Sequence, residues 1–413
     1  MNDKSVPHLF ANNHLDNQSG DDQDHHNPPL ETSLGRVVQA IHDCPSQLVL
    51  TIAGAGHSAL SSLLDVAGAS RTLLEALVPY SNAAFDDFLA YTPEQYVAPT
   101  TARLMAGRAY TRARLLTHST APVIGVGCTA TIATDRPKRG EHRAHIALRQ
   151  HGKLMEYYLQ LEKGKRDRHG EEAVVGGIII NAIAESFGVR QRVAVPLAGD
   201  DQLTITEVEY GPAIDALATR QLHFIGIQAD GLLHPADRVP PVILSGAFNP
   251  LHEGHLGMAR AVEKMLSQRV TFELAAVNVD KPPLPATMIL ERMGQFAGRY
   301  TVLASDAPTY IGKARLYPGT TFVVGYDTAV RIFAPRYYEN STDNMTRALR
   351  EIHDLGCHFL VAGRVDENNT FRSLEDLAIP TEFASIFTAI PERIFRRDIS
   401  SSELRAANEP GSR

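Results

Sequence analysis

The sequence predicts two α/β domains in tandem, each built on a largely parallel sheet. Three observations carry that reading. Apolar runs of strand length alternate with stretches repeating at helical spacing, once across residues 34–187 and again after Val242, and this alternation is the pattern of α/β layers. Pro235, Pro240 and Pro241 punctuate the chain between the two series. The chain has 413 residues, 44% hydrophobic and 21% charged, which suits two or three globular domains of about 100–200 residues each.

Residues 1–33 are rich in Asn, Asp, Gln and His and poor in apolar side chains. Such a stretch cannot bury enough surface to offset its ordering entropy, so a disordered polar tail is expected. His8, His14, His25 and His26 show no recurring ligand spacing, which favours a solvated tail over a metal-binding one. Order begins near Leu34, where Leu34, Val37, Val38 and Ile41 repeat at helical spacing. Residues 47–52 read as a buried strand, Gly54 and Gly56 punctuate it, and residues 58–66 return to a helical pattern. Residues 123–127 and 145–148 are further strand candidates, and a long apolar helix at 171–187 closes a first domain spanning 34–190. Residues 191–240 read as a β-rich connection, with strands at 203–208 and 222–227. A second domain, 241–413, opens on a strand at 242–245 and continues through strands at 272–277, 321–324 and 359–361.

Composition excludes several classes. A net charge of -7 sets up no basic field, so binding of nucleic acid through its phosphates is not expected. Cys44, Cys128 and Cys357 are far apart with no CxxC pair, which predicts free thiols in a reducing compartment rather than disulfides or a zinc site. No segment reaches the roughly 18 apolar residues that span a bilayer, and the first residues lack the apolar run of a secretory signal. A cytoplasmic protein without membrane association is expected.

The chemistry concentrates in Gly246-Ala247-Phe248-Asn249-Pro250-Leu251-His252-Glu253-Gly254-His255. A buried strand ends in a glycine, a proline-bearing turn follows, and a helix starts at about Gly254, with Leu256, Ala259, Val262 and Leu266 on one packing face. The free N–H groups and positive partial charge of a helix start favour a polyphosphate. Two imidazoles there can donate hydrogen bonds to phosphate oxygens as negative charge builds up in a transition state. Further on, Ile399-Ser400-Ser401-Ser402-Glu403-Leu404-Arg405 reads as a capping box, with Ser400 as N-cap and Glu403 three residues later. A capped helix start carrying several hydroxyls, with an arginine one turn in, is also an anion site. Lys281 follows a strand and precedes Pro282 and Pro283, a rigidly presented cation suited to a phosphate.

On these strings, residues 241 to about 407 resemble the nucleotidyltransferase superfamily named for its HxGH motif, and within it the nicotinamide/nicotinate mononucleotide adenylyltransferases. The resemblance implies a Rossmann-like fold with a parallel sheet. It implies that His252 and His255 contact the ATP phosphates, that Ser400, Ser401, Ser402 and Arg405 hold the triphosphate, and that Lys281 and Arg364 match the family's strand-end cations. It also implies that Asp327 in Gly325-Tyr326-Asp327 helps bind the nucleotide, with Gly246, Ala247, Phe248 and Asn249 beside it. ATP, Mg²⁺ carried with it, and a phosphorylated small-molecule acceptor are the partners implied. The family's ring that stacks on the pyridine is often tryptophan, and this chain has none; Tyr310, Tyr326, Phe333 and Tyr337 are the candidates to replace it. Pantetheine-phosphate and cytidylyl transfer share the scaffold and stay open, as does a non-catalytic nucleotide-binding scaffold.

Residues 34–190 resemble the CinA carboxy-terminal domain, the nicotinamide-nucleotide amidases. The resemblance rests on Leu64-Asp65-Val66-Ala67-Gly68-Ala69-Ser70 and Val78-Pro79-Tyr80-Ser81-Asn82. The active family has a serine nucleophile in E-S-x-T-G-G and a lysine in Y-S-N-x-x-K. Without gaps these positions fall on Ala53 and Phe85, neither of which can do the work. Ser58 stands nearby but inside the following helical pattern. An amidase-silent domain is expected, with nucleotide binding or a homo-oligomer interface as its remaining duties.

Overall fold

A computed structural model of the chain describes residues 33–136, 139–277, 282–366 and 368–396. They fall into two compact units. One runs to Ala106 and takes in Leu116–Arg149 and Leu154–Val208; the other holds Gly107–Leu115, Gln150–Lys153 and the chain from Glu209 onward. The tail, save Ser33, lies outside the described residues, as do Lys281, Ser400, Ser401, Ser402 and Arg405.

The first unit runs α1 (Leu34–His42), β1 (Gln47–Ala53), α2 (His57–Asp65), α3 (Ala69–Thr72), β2 (Leu73–Leu77), α4 (Asn82–Leu89), α5 (Pro99–Leu116), β3 (Val123–Thr131), β4 (His142–Arg149), β5 (Lys153–Leu161), α6 (Arg168–Ser186) and β6 (Gln202–Glu209). Its strands lie in the order β2-β1-β3-β4-β5-β6. The parallel arrangement expected holds for β1 with β2 and β3. Beyond β3 the sheet turns antiparallel through β4 and β5. The two halves differ in covering. Leu48, Val49, Leu50 and Ile52 of β1 are all buried, the continuous apolar run of a strand covered on both faces. In β5, buried Met155, Tyr157, Leu159 and Leu161 alternate with less buried Glu156, Tyr158 and Gln160, the period of a strand covered on one face. Helix α6 starts on Asp167, whose carboxylate accepts the Gly170 N–H at 2.8 Å, and buries Val174, Val175, Ile178, Ile179, Ala182 and Ile183 in the core. Gly127 of β3 carries the approach of α5: a Cβ there would stand 2.5 Å from the Ala102 carbonyl oxygen.

The second unit runs α7 (Gly211–Ala218), β7 (Phe224–Ile227), β8 (Val242–Gly246), α8 (Glu253–Leu266), β9 (Thr271–Ala275), α9 (Ala286–Met293), β10 (Val302–Ser305), α10 (Tyr310–Leu316), β11 (Thr321–Gly325), α11 (Tyr326–Ile332), α12 (Thr342–Asp354), β12 (His358–Ala362), β13 (Arg364–Val365), β14 (Phe371–Arg372) and β15 (Phe387–Ile390). Seven strands form one sheet in the order β15-β12-β11-β8-β9-β10-β7. All neighbours are parallel except β7, antiparallel to β10 at the edge. Set aside that edge strand and the order is the doubly wound one: the chain steps outward from β8 through β9 and β10, then returns to β11 on the other flank of β8. The sheet core is Ile243, Phe322, Val324, Phe359 and Val361, against which α12 presents Met345, Leu349 and Ile352 at helical spacing. Residues 191–240 thus supply one edge strand to each sheet, β6 to the first and β7 to the second.

The three cysteines are free, and Cys128 and Cys357 are buried. No helix among the described residues is long and apolar enough to cross a membrane.

Candidate functional site

In a doubly wound sheet the crevice for a ligand opens at the carboxyl ends of the strands, where the order reverses. Here that point lies between β8 and β11. The sequence places its motif on those two strand ends. The turn 246–252 leaves β8 and enters α8, and Gly325 leads from β11 into α11, with Asp327 in its first turn. Arg364 follows β12, the strand beyond β11, and pairs with Asp327. The fold therefore gathers Gly246, Ala247, Phe248, Asn249, His252, His255, Gly325, Asp327 and Arg364 at the carboxyl ends of three adjacent strands.

His252 is the N-cap of α8. Its Nδ1 accepts the Gly254 N–H at 3.1 Å, while His255 Nδ1 accepts the His252 N–H at 3.4 Å. With the His252 side chain also meeting the N3 backbone, these contacts form a capping box made by imidazoles in place of hydroxyl and carboxylate. A backbone N–H aimed at each Nδ1 requires a lone pair there, so the ring proton of each neutral histidine sits on Nε2. The rings stack with centroids 3.7 Å apart. Burial lowers the pKa of His252, and burial together with the neighbouring His252 pushes His255 down to about 3. Both are neutral at physiological pH. A neutral imidazole with its proton on Nε2 is a donor suited to an anion and not a proton reservoir.

The turn is held rigidly. Phe248 has φ +44°, the left-handed region that bulky residues seldom occupy. Its ring is 1% exposed and meets His255, Phe272 and Phe296 edge-on at 5.1, 5.4 and 5.2 Å. The nucleotide-contact role expected of Phe248 therefore does not fall to its ring, which is enclosed and supports His255 instead. Gly246 makes room for that ring, since a Cβ there would stand 2.8 Å from it. Two further residues, outside every motif read from the sequence, hold the turn. Gln295 Nε2 donates to the Phe248 carbonyl at 3.0 Å while its Oε1 accepts the Leu251 N–H at 2.8 Å, and Arg292 Nη1 donates to the Ala247 carbonyl at 3.1 Å. Of the rings expected to replace tryptophan, Tyr310 packs on Phe322 and Phe359, and Phe333 on Phe387, which ties both to the sheet core.

The first unit has a turn of like plan. β1 ends at Ala53, Gly54 and Gly56 take φ of +87° and +106°, and α2 begins at His57. The carboxylate of Glu172, just past the first turn of α6 and 3% exposed, fills that helix start. It accepts the Gly56 N–H at 2.9 and 3.0 Å and the Ser58 N–H at 3.0 Å, and lies 3.2 Å from both Ser58 Oγ and His57 Nδ1. Ser58 is also packed on α6, where a Cβ on Gly176 would stand 1.9 Å from its hydroxyl oxygen. Phe85 is 3% exposed with its ring edge-on to Tyr96, and Ala53 is buried at the strand end.

Residues 243–407, which carry the histidine-bearing turn, match the model of the family described as Cytidylyltransferase-like. Among curated proteins, one of Schizosaccharomyces pombe named "Putative nicotinamide mononucleotide adenylyltransferase" is 27% identical over 113 residues, which cover 24% of this chain and 45% of that protein. The chain thus spans less than half the length of the curated relative it matches. Among solved structures, the competence/damage inducible protein CihA from Agrobacterium tumefaciens is 20% identical with a TM-score of 0.30, covering 39% of this chain and 99% of its own. A CinA superfamily protein from Klebsiella pneumoniae is 17% identical with a TM-score of 0.29, covering 38% of this chain and 95% of its own.

Proposed function

We propose that the second unit transfers AMP from ATP to the phosphate of a pyridine mononucleotide, nicotinamide or nicotinic acid mononucleotide, giving a dinucleotide and pyrophosphate. The observation that carries this is the pair of neutral imidazoles, each with its proton on Nε2, at the start of α8 beside the sheet's switch point. An acceptor phosphate oxygen attacks the α-phosphorus in line. A P–O bond forms there, and the bond from the α-phosphorus to the α,β-bridging oxygen breaks. No protein nucleophile is needed. The task is positioning and neutralisation of the charge that grows on the departing pyrophosphate, and two fixed Nε2–H donors at a helix start meet that charge without reorganising. Mg²⁺ would supply further neutralisation. Among the described residues no cluster of three or more His, Cys, Asp or Glu is placed to hold a metal, so its expected ligands are phosphate oxygens of the ATP.

The adenylyl donor and pyridine acceptor are supported by the HxGH and I-S-S-S-x-x-R strings and by the name of the yeast relative. The description of the matched family favours a second reading, cytidylyl transfer from CTP. One assay separates them. Purified protein is offered ATP or CTP with Mg²⁺ and a panel of phosphorylated acceptors, and pyrophosphate release is followed. Release that needs ATP and a pyridine mononucleotide is expected; release only with CTP would transfer the reading to the second class.

A further inference from the structure

We propose that Gln295, assisted by Arg292, is a positioning residue for the nucleotidyl transfer described above, holding the two histidines where the reaction needs them. The inference rests on that functional reading and names residues outside its motif. Gln295 sits in a 3₁₀ turn, Gly294–Phe296, just after α9. Its amide forks across the turn between β8 and α8: the NH₂ end donates to Phe248 O at 3.0 Å and the carbonyl end accepts from Leu251 N at 2.8 Å. The same NH₂ group reaches Arg292 O at 3.1 Å, so both ends of the amide are engaged. Arg292, three residues earlier and on the same helical face, bonds Ala247 O at 3.1 Å.

These contacts bracket the two histidines. Leu251 adjoins His252, and the Phe248 ring lies edge-on to His255 at 5.1 Å. Phe248 holds a left-handed φ of +44°, a conformation that persists in a bulky residue only where its surroundings enforce it. Phe296, next to Gln295, packs on the Phe248 ring at 5.2 Å, so one short segment grips both the backbone and the side chain of that residue. An amide is the group the site requires. It alone offers a donor and an acceptor on one planar end at neutral pH, matching one carbonyl and one N–H. A carboxylate would satisfy Leu251 and face the Phe248 and Arg292 carbonyls with a second acceptor.

The test compares Gln295→Met and Gln295→Glu with the parent protein. In Gln295→Met both bonds to the turn are lost, along with that to Arg292 O, and kcat should fall by about 10- to 100-fold, the scale of a small misplacement of catalytic groups. KM for ATP should stay within about threefold, because the lost interaction serves the transition state. The protein should stay folded, with its melting temperature lowered by only a few degrees for the bonds lost. Gln295→Glu should be equally slow at neutral and alkaline pH but recover relative to the parent as pH falls, since a protonated carboxyl regains a donor for Phe248 O; the Met variant's ratio to the parent should stay flat. A volume effect alone gives no such pH dependence. Parent-like kcat in Gln295→Met, or a flat ratio in Gln295→Glu, would overturn the proposal. Hydrogen exchange at the Leu251 amide reads the same contact without any turnover, which keeps the proposal separate from the functional reading. Faster exchange in Gln295→Met is expected even if no acceptor supports pyrophosphate release, and unchanged exchange would contradict it.

Discussion

Both units run a parallel strand, β1 in the first and β8 in the second, into a glycine-bearing turn and from there into a helix, and the two turns differ in what meets the helix's free N–H groups. After β1, the buried carboxylate of Glu172 takes the N–H groups of Gly56 and Ser58. After β8, the N–H groups of His252 and Gly254 are taken by imidazole Nδ1 atoms, which leaves the ring protons on Nε2. The helix-end physics is the same in both. Where the chain supplies its own anion, the turn becomes a fastening between α2 and α6. Where it supplies neutral donors, the turn suits the phosphate-binding role proposed for it.

That contrast breaks most sharply at His255. His255→Ala should lower kcat for nucleotidyl transfer by about 10²-fold or more, the usual consequence of losing one transition-state donor. Steady-state kinetics check it, and a variant with near-parent turnover would remove His255 from the reaction. In the first unit the matching change is Glu172→Ala, which should leave transfer intact and lower stability. It strips the acceptor from two backbone N–H groups, at about 1–3 kcal/mol for each donor left unsatisfied. Calorimetry should show a lower melting transition. An unchanged one would mean the carboxylate fastens nothing.

Acid should weaken both units. Burial pushes His145 of the first unit down to about 4, with Arg143 and Arg103 adding to it, and His255 of the second down to about 3. Unfolded, each imidazole takes up its proton near pH 6.5. Below that pH the unfolded chain binds more protons than the folded one, so stability is complete above pH 6.5 and is lost progressively as pH falls toward 4 and 3. Buried His42 and partly buried His234, both lowered by desolvation, act in the same direction. Melting temperatures from pH 8 to 4.5 test this; a flat profile would contradict it. The smallest effect expected is none. The full chain should release no ammonia from nicotinamide mononucleotide, and Ser58→Ala should change nothing, because the Ser58 hydroxyl is spent on Glu172 and α6. Turnover abolished by that substitution would restore an amidase.

Legibility followed how local the signal is. The strands at 47–52, 123–127 and 242–245 are short apolar runs covered on both faces, and their existence could be read directly. The strand at 153–161 went unread because its apolar residues alternate with Glu156, Tyr158 and Gln160, a weaker mark than a run. The HxGH turn is contiguous, so His252 and His255 were visible as a pair. Their capping role was not, since it depends on which ring nitrogen meets which N–H. Gln295, Arg292 and Glu172 lie 44, 45 and 116 residues from the groups they hold. In sequence they look like solvated helix positions, and only the fold returns them to the turns.

The phosphate chemistry proposed for the second unit's turn is read out by ³¹P NMR of the full chain with ATP, Mg²⁺ and nicotinamide mononucleotide. The expected result is loss of all three ATP phosphorus signals with matched growth of pyrophosphate and of a dinucleotide diphosphate, slowed by His255→Ala. ATP signals that persist, or that decay only to ADP and inorganic phosphate, would contradict it.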